Sequence, residues 1–221
     1  KPRVLYITSR GHSGSTLLSL LTSGHSQVVS AGELKMLTNP DPERRLCSCH
    51  RLVPDQCPFW GAVQKRVLAA VGRPLDQLVL GDNGDDSSFL TDNEALFAAI
   101  TAVSGAALIV DSSKSLPRLS RLLSAEAQGA AFTLHPVHLH RGPFGSMNSA
   151  RKKGDQLRQA AYNYTRLFFL SRELLQGSTA LRIYYEQLAS NPRAEMARVM
   201  NWLQLPLEEG QFHWRDGVRR D

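Results

Sequence analysis

The segment VLYITSRGHSGSTLLS, residues 4–19, constrains the fold of this chain more than any other stretch. VLYIT is a short apolar run with a β-branched member, which reads as a buried strand. It stops at a turn rich in glycine and serine. A Leu-rich helical pattern then starts without a linker. Gly11 and Gly14 allow backbone turns that other residues resist. Ser13, Ser15 and Thr16 supply hydroxyl donors, and the helix they open presents free N–H groups and the positive end of its dipole. A strand–turn–helix of this kind suits an anion. The Walker pattern requires a lysine after its second glycine, but here Gly14 is followed by Ser15 and Thr16. The loop is therefore expected to hold one phosphate-like group with no obligatory metal, not a magnesium-bound triphosphate.

The same alternation continues along the chain. VVSA (28–31), ALIVD (107–111), PVHLH (136–140) and ALRIYY (180–185) read as further strands. Between them, residues 155–177 carry Leu157, Ala161, Tyr164, Phe168, Ser171 and Leu175 at helical spacing. NPRAEMARVMNWLQLP begins with Asn191 as an N-cap and Pro192 at the first helical position. Strands alternating with helices predict an α/β, three-layer P-loop-like domain, with a central parallel sheet of about five strands flanked by helices. Ligands of such sheets bind beyond the carboxyl ends of the strands. A length of 221 residues fits a single domain spanning 1–221, with an insert or lid region around 34–106. Within that region GDNGDDSSFLTDNE (81–94) departs from a calcium loop at its sixth and twelfth positions and reads as a solvated loop or lid. Phe59, Trp60, Phe89, Leu90 and Phe97 can be core or can line a pocket for an aromatic or apolar molecule.

Arg141 follows the PVHLH strand, with Ser149 eight residues later, across a Gly-Pro turn that can enter a helix. Arginine offers a planar fork for phosphate, and a serine near a helix start adds a hydroxyl. Two anion sites at strand ends fit one ligand with phosphate-like groups at both ends. Glu33 follows the second strand at the same sheet edge, and Lys114 follows the third, with Asp111 and Ser112 placed to orient it.

These segments resemble the PAPS-dependent sulfotransferases, the bacterial and tyrosylprotein-type branch in particular. GHSGSTLL is similar to the family's 5′-phosphosulfate loop, and HRGPFGSMNS to its 3′-phosphate segment, with Arg141 and Ser149 at the family spacing. VDSSKSLPRLSRLL and YYEQLASNPRAEMARVMNWLQLP resemble two later family segments, so the likeness runs from residue 4 to about 206. The resemblance implies transfer of a sulfuryl group from 3′-phosphoadenosine 5′-phosphosulfate (PAPS) to a hydroxyl or amine by in-line displacement. It implies Glu33 as general base, with His12 and Lys114 as the cations at the reacting group. It implies donor binding by Arg10, Gly11, His12, Ser13, Gly14, Ser15, Thr16, Arg141 and Ser149, with Tyr185 and Glu186 as braces. Two departures stand out. His12 occupies a position where many members carry Arg or Lys, and Gly142 and Gly145 flank Pro143 in place of an acidic-Pro-Arg run. Arg219 and Arg220 are candidates for the basic contacts the family often adds near its end, and His25 is a reserve base.

A P-loop phosphotransferase is the alternative, and it would need the missing lysine or an Asp-rich magnesium site. The expected partner is a small-molecule, glycan or peptide acceptor. A formal net charge of +6 is compatible with nucleic acid, but the SARKKG patch is short and lacks interleaved aromatics, so none is expected. No metal is expected either. His138 and His140 share one strand face but read as packing histidines. Cys47, Cys49 and Cys57 match no standard zinc finger; plain thiols, a local disulfide, or a zinc site completed by His50 all remain open, with plain thiols preferred. No apolar stretch reaches the roughly 20 residues a membrane span needs. Cytoplasmic placement is expected, with a lumenal one behind an N-terminal anchor left open. The acceptor and the oligomeric state are not legible in the residues.

Overall fold

The computed structural model describes residues 1–213. Five strands form one sheet: β1 (Arg3–Thr8), β2 (Val28–Ser30), β3 (Leu108–Asp111), β4 (Thr133–His140) and β5 (Leu181–Tyr184). Their order is β2-β3-β1-β4-β5 and every pairing is parallel. The α/β class and the five-stranded parallel sheet expected from the sequence are thus present.

Period-two alternation sorts the side chains of β1 onto two faces. Val4 and Tyr6 join Ile109, Leu119, Phe132 and Leu134 under α2 (Pro58–Val71), α3 (Asp86–Ser104) and α4 (Leu116–Ala127). Leu5 and Ile7 join Leu18, Leu21, Val110, Val137 and Ile183 under α1 (Ser15–Ser23) and the two C-terminal helices. Each fully buried aliphatic side chain contributes about 1.5–3 kcal/mol relative to exposure. Two further helices, α5 (Pro143–Lys152) and α6 (Leu157–Leu174), follow β4. The C-terminal pair is α7 (Tyr185–Ser190) and α8 (Pro192–Trp202), where Asn191 accepts from the Ala194 N–H at 3.2 Å, the cap its sequence calls for.

Two local expectations change. Strand β4 starts at Thr133, not Pro136, so the proline lies inside the strand, opposite Tyr6. The polar stretch 81–94 is only half loop, because Asp85 caps α3 by accepting from the Ser88 N–H at 2.8 Å. Phe89 and Phe97 on α3, and Trp60 on α2, are core residues. No helix among the described residues is long and apolar enough to cross a membrane.

Candidate active site

All five strands deliver a polar or aromatic group to the carboxyl edge of the sheet. In spatial order these are Glu33 after β2, Lys114 after β3, the loop 9–14 after β1, Arg141 after β4 and Tyr185 after β5. The chain leaves β1 for β2, beyond β3 on one side, and later crosses from β3 to β4 on the other, so the loop after β1 lies where the strand order reverses. Ligands of open α/β sheets bind at that point.

The loop is shaped for close approach. Gly14 is the N-cap of α1 in the left-handed region, at φ 92°, and no side chain caps the helix. A Cβ at Gly14 would come within 2.2 Å of the Tyr185 ring, so glycine is required both by φ and by space. The first turn of α1 carries no acidic residue, which leaves its orphan N–H groups and dipole for an anion. Ser13 and Ser15 are buried, whereas Gly11, His12 and Thr16 are exposed. Ser9 has a buried hydroxyl with no protein partner among the described residues.

Arg141 is tied to this loop. Its Nη1 donates to the His12 carbonyl at 2.9 Å, and its guanidinium lies 4.4 Å over the Tyr185 ring. Its buried Nε has no partner among the described residues. Gly145 lets α5 approach this group, since a Cβ there would sit 2.9 Å from Nε. Ser149 lies one turn beyond Gly145, half-buried, on the same side of α5. Glu186 accepts from the Gly142 N–H at 2.9 Å and anchors the start of α5. Tyr185 and Glu186 therefore brace the loop and the arginine, as the sequence suggests. An uncapped helix end, a buried serine hydroxyl and a buried guanidinium nitrogen, all lacking partners, fit a ligand that is anionic at two ends.

On the other side of the loop, Lys114 donates to the Glu33 carboxylate, and Lys35 lies 3.9 Å from it. Lys114 has a left-handed backbone at φ 57°. Asp111 does not orient Lys114, as its proximity in sequence suggests. It forms a fully buried pair with Arg118 at 3.0 Å and accepts from the Ser113 N–H at 2.9 Å. Ser113 in turn accepts from the Lys35 N–H at 3.1 Å, and Ser112 N–H donates to the Gly32 carbonyl at 2.8 Å. These bonds fasten the segment bearing Lys114 to the segment bearing Glu33.

Partial desolvation holds the His12 imidazole below its ordinary pKa, helped by nearby Lys153, Arg10 and Lys114 and opposed by Asp155. Arg10 also lines a cavity of about 330 Å³ with Asp155, Gln156 and Asn163. A second cavity, of about 240 Å³, opens beside Glu33 and is walled by Met36, Leu37, Cys47 and Trp60. A third, of about 340 Å³, borders His138, Arg172 and Arg182 and includes neither the loop nor Glu33.

His25 belongs to a different region. It is buried at the amino end of β2, where its Nδ1 accepts from the Gln27 N–H and its Nε2 lies 3.4 Å from Glu208, so it cannot serve as a base beside Glu33. His140 shares a 3.2 Å hydrogen bond with the Tyr164 hydroxyl, and His138 and His140 pack against Phe168. Arg219 and Arg220 lie outside the described residues. Lys153, at the end of α5 within electrostatic reach of His12, was not singled out from the sequence, and only its place in the SARKKG run hinted at it.

No family model and no curated protein matches the sequence. Solved structures do. The sulfotransferase domain of the Synechococcus PCC 7002 olefin synthase matches 97% of this chain and 77% of its own at TM-score 0.59 and 19% identity. The sulfotransferase domain from the curacin biosynthetic pathway matches 97% and 78% at TM-score 0.58 and 18% identity. Sulfotransferase STF9 from Mycobacterium avium matches 98% and 68% at TM-score 0.54 and 15% identity. The chain has the fold of the sulfotransferases.

Proposed function

We propose that this protein is a PAPS-dependent sulfotransferase. One observation carries the proposal: the uncapped N-terminus of α1 and the partly unpartnered Arg141, joined through the His12 carbonyl, stand beside the Glu33–Lys114 pair on one sheet edge. The loop 10–16 takes the 5′-phosphosulfate through the N–H groups and hydroxyls of Ser13, Ser15 and Thr16. Arg141 and Ser149 take the 3′-phosphate.

Sulfuryl transfer needs acceptor and leaving oxygens in line across sulfur, so catalysis is mostly positioning and stabilisation of charge. Glu33 accepts the proton of the acceptor hydroxyl or amine as its oxygen or nitrogen bonds to sulfur. The sulfur–oxygen bond to the 5′-phosphate breaks, and the electron pair stays on the phosphate. Helix α1 and His12 stabilise that oxygen; a depressed pKa makes neutral His12 an N–H donor at neutral pH. Lys114 lies between Glu33 and the loop and neutralises the sulfuryl oxygens. The products are 3′-phosphoadenosine 5′-phosphate and a sulfate ester or sulfamate. The cavity beside Glu33 is the acceptor's place, and its Met36, Leu37 and Trp60 walls favour an acceptor with an apolar part.

The test is transfer of radiolabelled sulfuryl from PAPS to a panel of phenols, alkyl alcohols, glycans and tyrosine peptides. Label should enter at least one class and disappear with Glu33→Ala. No transfer to any class, or transfer undiminished in the variant, contradicts the proposal.

A further inference from the structure

The three cysteines, 47, 49 and 57, meet at one point. Their sulfur atoms all lie within 4.8 Å of one another, and those of Cys49 and Cys57 are 3.8 Å apart. Zinc–sulfur bonds of about 2.3 Å in tetrahedral geometry put neighbouring thiolates roughly 3.8 Å apart. A disulfide joins two sulfurs at about 2.05 Å and leaves the third without a role.

The surrounding chain is held by a few main-chain bonds, among them Val53 N–H to the Arg45 carbonyl at 2.8 Å and Cys47 N–H to the Arg51 carbonyl at 2.9 Å, and by an Arg45–Asp76 ion pair at 2.9 Å, with almost no core. Residues 45–57 contain one isolated bridge, Leu46 with Leu52, and a tight turn in which the His50 N–H donates to the Cys47 carbonyl at 2.9 Å. Leu46, Cys49, His50 and Arg51 are exposed, and only Val53 and Cys57 are buried. A segment with so small a core needs a staple. Cys57 is the N-cap of α2, so a bond from the turn to its sulfur would fix the loop to the helix. The inner side of the same turn, at Cys47, walls the cavity beside Glu33.

We propose that Cys47, Cys49 and Cys57 are thiolate ligands for a thiophilic cation, Zn²⁺, which staples the turn to α2 and sets the shape of the cavity wall facing Glu33. Each thiol releases its proton to solvent on ligation, and no electron is transferred. Among the described residues no fourth side chain joins the cluster, so water completes the tetrahedron. The role of the cavity rests on the proposed function, but the metal site does not.

The test uses the full chain purified under reducing conditions, with elemental analysis, thiol counting and Co²⁺ replacement. We expect one zinc per chain, three thiols that react only after chelation, and a sulfur-to-cobalt charge-transfer band on Co²⁺ loading. Cys49→Ser, at the exposed ligand, should weaken Zn²⁺ by about 100-fold or more while circular dichroism stays native. Three freely reactive thiols without metal, a Cys49–Cys57 disulfide that forms in place of metal binding, or zinc affinity unchanged in Cys49→Ser would each overturn the proposal. The cobalt spectrum of the unmodified chain decides the matter even if the variant does not fold. None of these readouts depends on sulfuryl transfer.

Discussion

The two flanks of β1 are built by different means. On the β4 flank, main-chain features make the site: a glycine at φ 92°, an uncapped helix, and the His12 carbonyl, to which Arg141 donates from 129 residues away. On the β3 flank, an ion pair between two side chains makes it. Lys114 meets Glu33 across 81 residues, and both rest on a buried Asp111–Arg118 pair. The first flank suits rigid capture of anions. The second is a side-chain device whose geometry depends on a buried charge network, and the proton transfer proposed for Glu33 is assigned to it.

If this division holds, the largest effect comes from Glu33→Ala. Turnover should fall about 10²- to 10⁴-fold while affinity for 3′-phosphoadenosine 5′-phosphate is retained, measured by label transfer and calorimetry on the same preparation. Equal loss of both would erase the distinction between the flanks. Next in size is Asp111→Ala, which leaves the Arg118 guanidinium buried without its partner. It should cost about 3–5 kcal/mol in denaturant unfolding. A loss below about 1 kcal/mol would mean that the network does not support the β3 flank.

The β4 flank has its own, smaller signature. Burial, with His140 and Arg182 nearby, pushes His138 down to about 4. The folded protein holds this ring neutral, whereas the unfolded chain protonates it near 6.5. Stability should therefore fall as pH drops from about 6.5 toward 4, by roughly 3 kcal/mol, and level off below. His138→Gln should flatten that limb in urea titrations at several pH values. An unchanged limb would place the acid sensitivity elsewhere.

The contrast also explains what was legible in the sequence. The strands were, because a buried parallel sheet demands short β-branched runs. The loop and the Arg141–Ser149 segment were, because each carries its own short spacing, whereas the 129-residue reach from Arg141 to His12 was not. Glu33 and Lys114 could be named singly, but their pairing lies in no local pattern, and Asp111 was misassigned because its neighbour in sequence is not its neighbour in space. Helix α3 was half hidden, since Asp85 and Asp86 read equally as a solvated loop and as a capped first turn. The convergence of three sulfurs from two segments needed the fold.

The central claim is that one donor is gripped at both of its anionic ends. Calorimetry with 3′-phosphoadenosine 5′-phosphate and with adenosine 5′-phosphate, each on the unmodified chain and on Arg141→Ala, tests it most directly. We expect Arg141→Ala to weaken the bisphosphate by about 10- to 100-fold and to leave the monophosphate nearly unchanged. Absence of bisphosphate binding to the unmodified chain, or an equal loss for both ligands, would contradict the account.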